Sequence, residues 1–172
     1  VAGGWRMIEE SWLKDQKVLS NLKLRASWGI SGNAAIDAYS TLTSLSANTY
    51  YYYLGNTDVS GKIPSQLGNP NLTWEKTSSF NLGLDFGFFD GRISGSIDYY
   101  WNHTYDLLFY KTAPASSFPT VIDNIGKTKG QGLEISLMTD IIRTKDFDWT
   151  ANWSYSHFKD EITELTGGVD KY

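Results

Sequence analysis

The carboxylates of this chain are the side chains best placed to do chemistry. Asp85, Asp98, Glu134 and Asp140 each alternate with apolar neighbours, so each lies on the polar side of its segment. Two such groups flanking a sugar bond could act as the acid and the base or nucleophile of a glycosidase. No spacing singles out a pair, and solvated carboxylates on a polar wall are the plainer reading. GKT at 126–128 shares the end of a phosphate-binding loop, but that motif needs glycine five positions before Gly126, where Val121 stands. His103 and His157 have no partners at ligand spacing. No catalytic residue, metal site or cofactor is therefore assigned. Asn71, Asn102 and Asn152 begin Asn-x-Ser/Thr sequons, a three-residue pattern short enough to arise by accident. Tyr50, Tyr51, Tyr52 and Tyr53 could stack on a substrate ring or touch a partner. In an extended segment at most two of the four point one way.

Composition limits what these residues can serve. The chain has 172 residues, 15 basic and 19 acidic, for a net charge of -4. That balance gives no basic face for nucleic acid. With no cysteine there is neither a disulfide framework nor a thiolate metal site. Aromatics make up 15%, with 7 Trp and 11 Tyr, a richness suited to stacking or interfacial surfaces. No run approaches the ~18 apolar residues of a transmembrane helix. Membrane-crossing strands stay open, because alternation keeps mean hydropathy low.

The elements that carry these side chains have a two-residue period. In GSIDYYWNHTYDLLFY, Ile97, Tyr99, Trp101, His103, Tyr105 and Leu107 share one parity; Asp98, Tyr100, Asn102, Thr104 and Asp106 share the other. The alternation outlasts the ~5–6 residues of an ordinary strand. TWEKTSSFNLGLDFGFF behaves alike, with Phe80, Leu82, Leu84 and Phe86 opposing Ser79, Asn81, Gly83 and Asp85. Asp90-Gly91 between these two stretches is a strong hairpin signal. NLKLRASWGIS, QGLEISLMTDII and FDWTANWSYSHF supply three more alternating strands, the last two joined by a short polar turn at 143–146. Residues 1–6 read as the tail of a strand, 7–18 as a short helix or turn, and 111–123 as a long loop. Residues 32–72 read as another long loop, with a strand possible at NTYYYYLG. Lys23, Arg25, Glu75, Asp85, Arg92, Asp98, Glu134 and Asp140 all fall on polar parities, with both signs present.

Short turns alternating with long loops is the asymmetry of a transmembrane β-barrel. Twelve steps separate Trp74 from Phe86. At ~3.3 Å each and a tilt of ~40°, that spans roughly 30 Å, enough for an apolar band and its aromatic girdles. A soluble β-sandwich, such as a carbohydrate-binding module, is the alternative; its turns usually recur every ~8–12 residues. A piece of a secreted glycosidase is a third, and lacks a convincing carboxylate pair.

NLKLRASWGISGN, NPNLTWEKTSSFNLGLDFGFFDGRISGSIDYYWNHTYDLL and NIGKTKGQGLEISL together resemble successive barrel segments of the SusC/RagA-type TonB-dependent outer-membrane transporters of Bacteroidetes. GGWRMIEESWLK is similar to that family's strand end and connector, and FDWTANWSYSHFKDEITEL to the strand that follows. Gly130-Gln131 and Ile8 depart from the family's commoner residues, and the loops at 34–66 and 111–123 match none of its segments. The resemblance implies an all-β fold: an antiparallel meander of long strands, forming part of a barrel of about twenty-two. Residues 1–172 would be a fragment of that single barrel domain, with the plug and the remaining strands absent. It further implies the bacterial outer membrane and import of oligosaccharide or peptide. The implied partners are a SusD-like lipoprotein lid, TonB through segments not in this chain, and membrane lipid. The eight charged residues would then line the lumen, and Tyr50, Tyr51, Tyr52 and Tyr53 would touch substrate or lid.

Overall fold

The computed structural model describes residues 1–165 apart from 16, 35, 37, 55–56 and 113–119; the side chains at 47–60, 64, 112 and 120 also lie outside the described set. The chain is built of strands: β1 (Ala2–Arg6), β2 (Leu19–Asn33), β3 (Ser44–Leu54), β4 (Thr57–Gln66), β5 (Glu75–Phe88), β6 (Ile93–Thr112), β7 (Thr120–Arg143) and β8 (Asp148–Glu164). Six form one sheet in the order β1-β2-β5-β6-β7-β8, and β3 pairs with β4 in a second. This is the all-β antiparallel meander that the alternation and the resemblance imply. The 7–18 segment holds one 3-10 turn, Met7–Glu9.

Tight turns set the register of the large sheet. Between β5 and β6, Arg92 N–H donates to Phe89 C=O at 3.2 Å across Asp90 (φ 55°) and Gly91 (φ 84°). Two left-handed central residues make a type I′ turn, whose twist matches the flanking strands. Between β7 and β8, Thr144 closes the turn by donating its N–H to Phe147 C=O at 2.9 Å and accepting Phe147 N–H on its hydroxyl at 3.0 Å.

Three expectations need correction. Residues 32–72 are more than a loop with one strand: β3, which covers the strand expected at NTYYYYLG as far as Leu54, pairs with an unexpected β4 in an antiparallel hairpin, with Tyr51 opposite Ser60 and Leu54 opposite Thr57. The 111–123 loop is shorter than expected, because β6 runs to Thr112 and β7 begins at Thr120. Ladder hydrogen bonds carried these strands through polar residues that have no alternation to advertise them. Third, the alternation of β6 does not persist to Leu107. At Asp106 the backbone turns left-handed (φ 60°). Its carboxylate meets Lys76 Nζ at 3.3 Å, while the adjacent Tyr105 ring lies 5.8 Å from the same ammonium. Two consecutive residues on one side mark a bulge.

The chain divides into two compact units. One comprises Val1–Ser31, Thr77–His103 and Lys129–Glu161; the other comprises Gly32–Lys76, Thr104–Thr128 and the chain from Ile162. Within the first unit the sheet is a single layer, with Trp28, Trp101 and Trp153 each more than 40% exposed. A sandwich would bury such residues against a second sheet. Among the described residues Ile122 is the buried hydrophobic side chain.

Candidate functional site

The two faces of the first unit differ in chemistry. On the polar face three strands converge on one guanidinium. Arg25 of β2 donates from Nε to both Asp85 oxygens (2.9 and 3.0 Å) and from Nη2 to Asp85 Oδ1 (2.8 Å), then reaches Asp98 Oδ2 of β6 at 3.1 Å. To do so it crosses β5 at Gly83. A Cβ there would stand 2.8 Å from the guanidinium carbon and 2.5 Å from Asp98 Oδ1. Glycine is the window through which β2 touches β6. The side chains are 35%, 27% and 18% exposed. Such half-solvated pairs contribute of order 0–1 kcal/mol each. Because one guanidinium ties both carboxylates, the group is an ion-pair rivet with a residual negative charge, rather than an acid-base dyad.

The same face continues across the sheet. The Ser96 and Ser136 hydroxyls lie 2.8 Å apart. Thr150 donates to Asp140 Oδ1 at 3.0 Å, and Arg92 reaches the Asp140 carbonyl at 3.4 Å. Tyr100 lies over Gly132, where a side chain would collide with its ring. Lys23 lies beside Gly4, its Cε 3.2 Å from where a Cβ would be, and Glu134 is exposed. Of the eight charged residues singled out by parity, Arg25, Asp85 and Asp98 are thus brought together. Arg92 and Asp140 meet through the backbone; Lys23 and Glu134 remain separate.

The opposite face is aromatic. Phe80 and Trp101 have ring centroids 5.4 Å apart, and Tyr99 meets Trp101 edge-on at 4.2 Å. Trp28 Nε1 donates to Ser78 at 3.1 Å, and Trp153 stacks with Tyr155 at 6.4 Å. Each indole thus sits on apolar surface, and that of Trp28 keeps a polar partner.

In the second unit Glu75, the eighth charged residue, accepts the Asn33 amide at 3.2 Å and Leu108 N–H at 3.1 Å. Two residues that parity could not flag organise this unit. Asn124 accepts Thr73 N–H (2.8 Å) and donates to the carbonyls of Thr73 (2.8 Å) and Asp106 (2.7 Å). Asn69 donates to Ile122 C=O and Asp123 Oδ1, at 3.1 and 3.2 Å, and caps its own turn at Asn71 N–H. The signal available was their type, since asparagine beside proline or aspartate commonly satisfies turn backbone. The side chains of Tyr50, Tyr51, Tyr52 and Tyr53 lie outside the described residues.

A sheet with one charged and one aromatic face, and no second layer on either, matches known proteins. The family model described as TonB dependent receptor-like, beta-barrel, matches residues 11–172. The chain belongs to the TonB-dependent receptor β-barrel family. Over 99% of its length it is 43% identical to the TonB-dependent receptor SusC of Bacteroides thetaiotaomicron and 40% identical to the TonB-dependent receptor P26 of Formosa agariphila. It superposes on the RagAB peptide importer in the open-open state with a TM-score of 0.86, at 34% identity and 99% coverage. The segment spans 17% of the length of each of these curated relatives and 18% of that solved chain. The SusC/RagA resemblance therefore holds in sequence and in backbone. Gly83, Arg25, Asp85 and Asp98 make this TonB-dependent receptor segment a cross-braced sheet.

Proposed function

We propose that this chain is one stretch of the barrel wall of a TonB-dependent importer in the bacterial outer membrane, with its charged face toward a wet lumen and its aromatic face toward lipid. The observation that carries the reading is the segregation of the two faces in one uncovered layer: Arg25, Asp85 and Asp98 on one, Phe80, Trp101 and Tyr99 on the other. A charge facing hydrocarbon costs several kcal/mol unless it reaches the interface, whereas a lumen charge stays hydrated or paired. Strand length fits as well, since β5 has 14 residues and ~9–11 suffice to cross a bilayer. The residues Lys23, Arg25, Glu75, Asp85, Arg92, Asp98, Glu134 and Asp140 would line that interior and meet the plug.

Likeness to SusC and to the RagAB peptide importer favours glycan or peptide fragments as cargo, and a SusD-like lipoprotein as lid, with TonB acting through other segments. The β3–β4 hairpin is longer than a structural connection needs, which is the mark of a functional loop. Tyr50, Tyr51, Tyr52 and Tyr53 on β3 are its candidates for touching lid or cargo.

The test is Leu82→Arg. Leu82 is 39% exposed at the middle of β5, on the aromatic parity. Arginine at the bilayer midplane should cost about 2–4 kcal/mol. The expected result is a loss of folded, heat-modifiable receptor from outer-membrane fractions. Parental levels of assembled Leu82→Arg protein would reverse the facing.

A further inference from the structure

One groove on the aromatic face of the first unit is not aromatic throughout. Its volume is about 440 Å³, and Trp28, Phe80, Trp101, Lys129, Lys159 and Glu161 line it. Lys129 and Lys159 enter none of the ion pairs among the described residues. Two ammoniums less one carboxylate leave the groove with a charge of +1.

Its height along the strands is specific. Ser78, on its rim, stands ten residues from Phe88, where β5 meets the tight turn. At ~3.3 Å per residue and ~40° of tilt that is roughly 25 Å, the full apolar band. The groove therefore lies at the interface far from the turns, where tryptophan rings and lysine stems straddle hydrocarbon and water. A basic pocket rimmed by aromatics at that depth is complementary to a phosphate carried on an acyl-chain anchor.

We propose that this groove binds the phosphate of an anionic lipid headgroup, held between the Lys129 and Lys159 ammoniums while its chains run down the face past Phe80 and Trp101. The proposal rests on the lipid-facing reading of this face. The protein would thereby carry a fixed annular lipid at one position of its wall.

The experiment uses the full-length receptor in mixed micelles of phosphatidylcholine with a minor fraction of phosphatidic acid, counting retained lipid by native mass spectrometry. The parent should retain phosphatidic acid in preference to phosphatidylcholine. Lys129→Gln and Lys159→Gln should each lower that retention roughly fivefold, while Lys→Arg at both sites keeps it. Inorganic phosphate should not displace the lipid, because it lacks the chains. Equal retention by the parent and the double Gln variant, or displacement by inorganic phosphate, would overturn the site. Leu82→Arg separates the two readings. If it is impaired in assembly while the lysine variants keep their lipid, the groove proposal alone fails. If it assembles normally, the facing of the sheet fails with it.

Discussion

Arg25 is the residue through which the polar face acts as a unit. Its guanidinium is shared between Asp85 at 2.8 Å and Asp98 at 3.1 Å, so removing either end has unequal consequences. Asp85→Asn leaves Arg25 with Asp98 and should change stability by no more than about 1 kcal/mol. Arg25→Gln leaves two carboxylates facing each other without a cation, and should cost more than Asp85→Asn. Both should still assemble, because the group is half solvated. Thermal unfolding of the assembled receptor orders the two variants. Cargo uptake then reports whether the charges hold a plug: a change in uptake at constant assembly is the expected outcome.

At the level of elements, turns and clamps decide where strands stop. Gly91 sits at φ 84° with open space where a Cβ would go. Gly91→Ala therefore isolates the backbone term, and about 1–2 kcal/mol is expected from forcing an L-residue into the left-handed region. Asp90→Gly is the matched control and should be near neutral. Denaturant unfolding of the refolded receptor compares them. Asn124 is the corresponding device of the second unit. Its three hydrogen bonds tie residue 73 to the Asp106 bulge, and each is worth about 1 kcal/mol. Asn124→Ala should speed amide hydrogen exchange at residues 71–76 while leaving β5 near Leu84 protected. Uniform loss of protection would mean that Asn124 supports the sheet as a whole.

For the whole molecule, the turns assign a direction. Outer-membrane barrels place short turns inside and long connections outside. The Asp90-Gly91 and 144–147 turns are short; the β2-to-β5 connection, which contains the β3–β4 hairpin, is long. Protease added to intact cells should cut within 50–62 and spare Asp90-Gly91, read by epitope tags flanking each site. Cleavage at the turn with an intact hairpin would invert the topology. The large sheet has β1 and β8 as its edge strands, each paired on one side within it. In hydrocarbon such edges would leave backbone groups unsatisfied.

Sequence alone determined the period, and the period determined the faces. Within β5, Phe80, Leu82 and Leu84 had to share one side and Asn81, Gly83 and Asp85 the other, because side chains alternate along any extended chain. The Asp90-Gly91 turn was equally legible, since few dipeptides tolerate two left-handed residues. Tertiary structure decided what periodicity does not encode. Which charges on one parity meet depends on stagger between strands that are 60 and 73 residues apart in the chain, as Arg25 is from Asp85 and Asp98. That Gly83 opens the path is visible only once the neighbours are placed. The bulge at Asp106 and the β3–β4 pairing depend on backbone geometry and partner choice, and the Asn124 clamp on side-chain bonds to the backbone of residues 73 and 106. Residue type hints at a strand or a turn in these places, but which backbone each one meets leaves no pattern in the sequence.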